Sequence, residues 1–121
     1  MDTRSKILKP ESLPTGATLV TGYFDVLTAE LTRALVEVRE RTRKRPLAIA
    51  VLSRGSEVLP PAARVELVAA LRMVDYVVTA SDEDLNRLIE RSQPAEVVRM
   101  EEADLRRKRW LIEHVQRRHK L

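Results

Sequence analysis

The sequence predicts an α/β domain with a mostly parallel sheet and helices on both faces. Three observations point there. Short β-rich runs alternate with helical periodicity along the 121 residues, in the order βαβαβαβα. Leu47 to Leu52 is a continuous apolar run without alternation, the pattern of a parallel strand covered on both sides. Between these runs, apolar residues return every three or four positions, which is the period of a helix with one buried face.

Residues 1–16 carry Pro10, Pro14 and Gly16 among polar neighbours and read as an arm leading into a domain over 17–121. Ala17 to Thr21 is the first strand, and Gly22 stops it. From Thr28 to about Arg43, Leu31, Ala34, Leu35 and Val38 mark the inward face of a helix. Thr28 is placed to cap its first turn, and Arg41, Arg43, Lys44 and Arg45 suit the negative end of its dipole. Pro46 ends the helix before the strand Leu47–Leu52. Ser53 to Leu59 is a loop. Pro60 and Pro61 stand where a helix begins without needing their missing N–H groups, and Ala62 to Met73 continues it. Tyr76 to Val78 is the third strand. Ser81 to Asp84 reads as a capped start for a third helix, with Leu85, Leu88 and Ile89 inward. Pro94 closes that segment. Glu96 to Met100 is the fourth strand, and Glu102 to about Lys120 a final helix.

Composition narrows the chemistry. The chain has no cysteine, which excludes disulfides, thiol catalysis and thiolate-ligated metal centres. Its two histidines, His114 and His119, are not at the i, i+4 spacing of a helical metal pair and read as surface residues. The N-terminus lacks an apolar signal core, and no apolar run approaches the roughly 20 residues that span a bilayer. A soluble cytoplasmic protein is therefore expected. Aromatics make up only 3% of residues, too few for base-stacking platforms.

The stretch Gly22-Tyr23-Phe24-Asp25-Val26-Leu27-Thr28-Ala29-Glu30-Leu31 follows the first strand and opens the first helix. It resembles the G-x-F-D-x-x-H-x-G-H motif of the cytidylyltransferase-like nucleotidyltransferases. Glycerol-3-phosphate cytidylyltransferase and the nucleotidyl-transfer domain of ADP-heptose synthase are the types it is most similar to. Arg64 to Val78 resembles that family's R-x-x-x-L-x-A-L-x-x-V-D-Y-V segment, so the resemblance spans about half the chain in the correct order. It implies a Rossmann-like three-layer sandwich with strand order 3-2-1-4. The ligand would then lie in the crevice beyond the carboxyl end of the first strand. It also implies transfer of CMP or AMP from CTP or ATP, with Mg2+, to a phosphorylated sugar or polyol, and a homodimer.

The departures fall on the chemistry. Thr28 and Leu31 stand at the two histidine positions, and Glu30 at the second glycine position. In the family the histidines donate to the α-phosphate and the leaving pyrophosphate. Leu31 has no donor and Thr28 no charge, and losing one such donor costs roughly 100- to 1,000-fold in rate. Glu30 brings negative charge to a helix start that would otherwise welcome phosphate. Nothing after Met100 matches the family's I-S-T-T-like phosphate turn.

The candidate nucleotide- or phosphate-binding residues are Gly22, Tyr23, Phe24, Asp25, Thr28, Arg54 and Arg64. Each has a plainer reading. Gly22 either lets backbone approach a phosphate or serves a turn that only glycine tolerates. Asp25 contacts ligand or holds its loop through backbone N–H groups. Tyr23 and Phe24 flank a base, or Phe24 packs in the core. Thr28 is a helix cap before it is a phosphate donor and is the one weak catalytic candidate. Arg54 replaces the family's loop lysine or is merely solvated. Arg64 matches a family position implicated in phosphate binding, or is an exposed helix arginine paired with an acid.

The expected function is a nucleotidyltransferase-like domain that has lost most of its chemistry and retains a nucleotide or sugar-phosphate site. One rival is a divergent active transferase, and another a non-catalytic scaffold or interaction protein. The run Arg106-Arg107-Lys108-Arg109-Trp110 suggests a third, nucleic-acid binding. Glu101, Glu102, Asp104 and Glu113 dilute it, which favours a solvated helix face.

Overall fold

Two strands that are buried on both sides set the centre of the molecule. The computed structural model describes residues 3–25, 27–55 and 57–101. In it β1 (Thr18–Gly22) lies beside β2 (Leu47–Ser53), and both are almost wholly enclosed. β3 (Tyr76–Ser81) flanks β2 and β4 (Glu96–Arg99) flanks β1. The sheet is parallel throughout, in the order β3-β2-β1-β4. Thr18 is level with Leu47 and with Glu96, and Ala48 with Tyr76.

Alternation along each strand divides the core into two layers. Val20, Leu47, Ile49, Val51 and Val77 pack beneath α1 (Ala29–Arg41) and α2 (Pro61–Ala69), through Leu31, Leu35, Val38, Val65 and Val68. Leu19, Ala48, Ala50, Leu52 and Val78 face α3 (Leu85–Ser92), through Leu85 and Leu88. Helices on both faces of a parallel sheet make this the Rossmann-like three-layer sandwich that the alternation predicts. Helices cover the apolar runs, which is why those runs need no polar side.

Element boundaries shift where tertiary contacts compete with periodicity. The second helix stops at Ala69 rather than Met73. Leu71 N–H bonds back to Val68 and Val74 N–H to Leu71, a tight turn that seats Val74 in the core. The Lys6 ammonium donates to the Leu71 carbonyl at 3.1 Å. The third strand runs on to Ser81 because β2 is long enough to pair with it as far as Ser53. Ser81 therefore ends a strand instead of capping a helix. Its hydroxyl accepts from Asp84 N–H at 3.1 Å and donates to the Asp84 carboxylate at 2.9 Å, fixing the turn before α3. Gln93 closes α3 in the left-handed conformation, and Pro94 follows.

The N-terminal segment is docked along the sheet. Leu8 N–H bonds to the Val77 carbonyl at 2.9 Å, Ile7 bridges Val77, and Leu13 is buried in the α3 layer. The expected final helix, the run Arg106–Trp110 and both histidines lie outside the described residues. No helix among the described residues is long and apolar enough to cross a membrane.

Candidate functional site

The carboxyl ends of the parallel strands converge on one crest, and the expected site residues gather there. Gly22 ends β1 opposite Val51. It does not make the turn: the left-handed residue is Phe24, with φ 52°. Of the two readings of Gly22, the glycine-only turn is therefore not the one the backbone shows. Phe24 pays a steric cost in that conformation, of about 1–3 kcal/mol, and persists because its ring is fully buried in the α1–α2 layer.

That turn aims Asp25 across the crest. Its two carboxylate oxygens accept the backbone N–H groups of Val58 and Leu59, at 2.8 and 2.9 Å. Asp25 thus holds the loop between β2 and α2. Glu57 in the same loop accepts from the N–H groups of Arg54 and Gly55, at 2.6 and 2.9 Å. Gly55 takes the left-handed backbone that this reversal needs, with φ 90°. Burial pushes the Glu57 carboxyl upward, but these N–H groups and the nearby Arg64 charge leave it below its ordinary value.

Arg64 is the centre of the crest. It leaves the first turns of α2 and is 0% exposed, so it is not a surface arginine. Its Nη1 donates to the Tyr23 carbonyl at 2.8 Å and to the Leu52 carbonyl at 2.6 Å. Its Nη2 donates to Ser53 Oγ at 2.9 Å and its Nε to the Leu59 carbonyl at 3.1 Å. One guanidinium therefore joins the end of β1, the end of β2 and the loop into α2. Burying a charge is costly unless its hydrogen bonds are replaced, and these four contacts replace them.

Arg54 lies on the outer side of the crest. Its Nε donates to Asp82 at 2.7 Å, and its guanidinium sits 5.1 Å from the centre of the Tyr23 ring. The bond to Asp82 raises the Arg54 pKa above its ordinary value. The Tyr23 hydroxyl approaches the same carboxylate at 3.3 Å. Burial, then the Asp82 charge, pushes the Tyr23 pKa up to about 12, against the opposing effect of Arg54. Toward β4, Thr21 Oγ1 donates to Glu101 at 2.7 Å, and Glu101 pairs with Arg99 at 3.6 Å.

The structure thus brings Tyr23, Asp25, Arg54 and Arg64 into one linked set beside Gly22 and Phe24. Thr28 is used differently. Its hydroxyl accepts Leu31 N–H at 3.1 Å as the N-cap of α1. Leu31, at the second histidine position of the resemblance, is fully buried in the core and faces away from any ligand. Ser53, Glu57, Asp82, Thr21 and Glu101 escaped sequence reasoning. Only their nearness to strand ends could have marked them.

Among the described residues, acids outnumber bases at the crest. Asp25, Glu30, Glu57, Asp82, Glu83, Asp84 and Glu101 stand at the strand ends or helix starts, against Arg54, Arg64 and Arg99. Among the described residues, no group of three or more His, Cys, Asp or Glu is placed to hold a metal. Two clefts lie elsewhere: one of ≈ 460 Å³ at the α1–β2 turn, lined by residues 40–45 and Glu96, and one of ≈ 260 Å³ beside β3. No protein-family model matches the sequence, and none of the curated proteins compared with it matches.

Two outcomes are expected. Arg64→Leu leaves buried carbonyls unpaired and lowers unfolding free energy by about 3–5 kcal/mol in urea titrations. Tyr23 ionises near pH 12 in an absorbance titration of the Tyr76→Phe protein. Because its folded pKa is the higher, the stability it contributes is complete below about pH 10 and is lost as pH rises toward 12.

Proposed function

We propose that this chain is a nucleotidyltransferase-like domain without nucleotidyl-transfer activity, which serves as a scaffold or interaction module. The observation that carries the reading is the state of Arg64. The family resemblance would turn this arginine toward phosphate, but its described hydrogen bonds go to Tyr23, Leu52, Ser53 and Leu59. A ligand at this point has to displace those contacts and leave strand-end carbonyls unpaired.

Three further facts support it. Thr28 spends its oxygen lone pair on the helix cap, and Leu31 lies in the core. Leu31 has no donor, and Thr28 offers only an uncharged O–H where the parent reaction uses a charge-stabilising imidazole. Both oxygens of Asp25 hold backbone N–H groups, so a magnesium ion arriving with a nucleotide would compete with the loop for them. The acid excess among the described residues of the crest disfavours the triphosphate as well.

Single-turnover assays with CTP or ATP, magnesium and glycerol 3-phosphate test the reading. Pyrophosphate is expected at no more than the protein-free rate, and calorimetry at millimolar nucleotide gives no saturable heat. Pyrophosphate release that disappears in Thr28→Ala would overturn the proposal. Saturable heat without turnover would assign a nucleotide-binding role instead.

A further inference from the structure

The edge of β3 is covered along only part of its length, and the reason is written in the N-terminal segment. Val77 turns its carbonyl outward and receives Leu8 N–H at 2.9 Å, in parallel register with Ile7. Backbone groups alternate sides along a strand, so Thr79 is the next residue to face outward. Continuing the register would bring residue 10 to the Thr79 carbonyl. That residue is Pro10, which has no N–H. The chain instead turns into a short 3-10 helix over Pro10–Ser12. Thr79 is left exposed, and no described residue outside the sheet bonds its outward N–H or carbonyl.

A groove of ≈ 260 Å³ adjoins this open step. Pro10, Glu11, Thr79, Ala80, Asp84, Arg87, Leu88 and Arg91 line it. Leu88 is buried and Ala80 packs with it, which gives an apolar floor. Arg87 and Arg91 are four apart on α3 and share one face. Among the described residues Arg87 has no ion pair, and Arg91 meets Glu11 only at 3.7 Å. The other acid, Asp84, keeps its charge and accepts the Ser81 hydroxyl, but forms no ion pair with either arginine among the described residues.

We propose that this edge takes an extended acidic peptide segment of a partner protein by strand addition. The peptide backbone pairs with Thr79, an apolar side chain rests on Ala80 and Leu88, and carboxylates meet Arg87 and Arg91. The proposal deepens the interaction role above and rests on it. Its test reads the β3 groove alone, so its failure is distinguishable from nucleotide binding at the crest.

The probe is an acetylated Glu-Val-Glu-Val-Glu peptide, titrated into the isotope-labelled full chain and followed by amide NMR shifts. Saturable shifts are expected at Thr79, Ala80 and Ser81. A Lys-Val-Lys-Val-Lys peptide should bind about tenfold more weakly or worse. Arg87→Glu should weaken the acidic peptide by about tenfold, and Thr79→Pro, which removes only an outward N–H, by a similar factor. Should Thr79→Pro not fold, Arg87→Glu on the exposed helix face still decides. Absence of shifts at millimolar peptide, or shifts unchanged by Arg87→Glu, overturns the proposal. Concentration-dependent shifts at Thr79 without peptide would assign the edge to a second copy and overturn it as well.

Discussion

The buried guanidinium of Arg64 joins three chain segments that the sheet alone does not hold together. β1 and β2 are paired along their length, but their carboxyl ends diverge into separate loops. Arg64 bonds to the carbonyls of Tyr23 and Leu52, one beyond β1 and one within β2, and to Leu59 before its own helix. Such a charge is tolerable only while every contact is kept. Removing the arginine orphans its acceptors, and moving it exposes them to competition from water. Arg64 therefore ties the crest together beyond the ends of the paired strands.

Other features of the crest follow from that constraint. The loop that bears Leu59 must stay close to Arg64, and Asp25 holds it there through Val58 and Leu59 N–H. Asp25 reaches that loop because Phe24 accepts a left-handed backbone, and burial of its ring keeps it so. Glu57 folds the other end of the loop onto Arg54 and Gly55 and sits near enough to feel the Arg64 charge. Arg54, Tyr23 and Asp82 then close the outer side. Charged groups at the crest are engaged with one another and with the backbone.

Much of the architecture was legible in the sequence because it rests on periodicity. The unbroken apolar run of β2 needs cover on both faces, and Leu31, Leu35 and Val38 supply it from one side at helical spacing. Strand order came from the resemblance, since pairing partners leave no local trace. The state of Arg64 was not legible. An arginine in the first turns of a helix ordinarily faces water, and its acceptors here are mostly backbone carbonyls, which leave no mark in the sequence. The left-handed turn was not legible either: it falls on Phe24, where core packing outweighs backbone preference. Docking of the N-terminal segment depended on Ile7, Leu8 and Leu13, which are too few to show a period among polar neighbours.

The most direct measurement of the central claim is heteronuclear NMR of the Arg64 side chain itself. With its N–H groups fixed on protein acceptors, the guanidinium should give resolved, slowly exchanging Nε and Nη protons. Those signals should not move when CTP or ATP with magnesium is added to millimolar concentration. Averaged, rapidly exchanging protons, or a saturable shift on adding nucleotide, would contradict the account and return the crest to ligand binding.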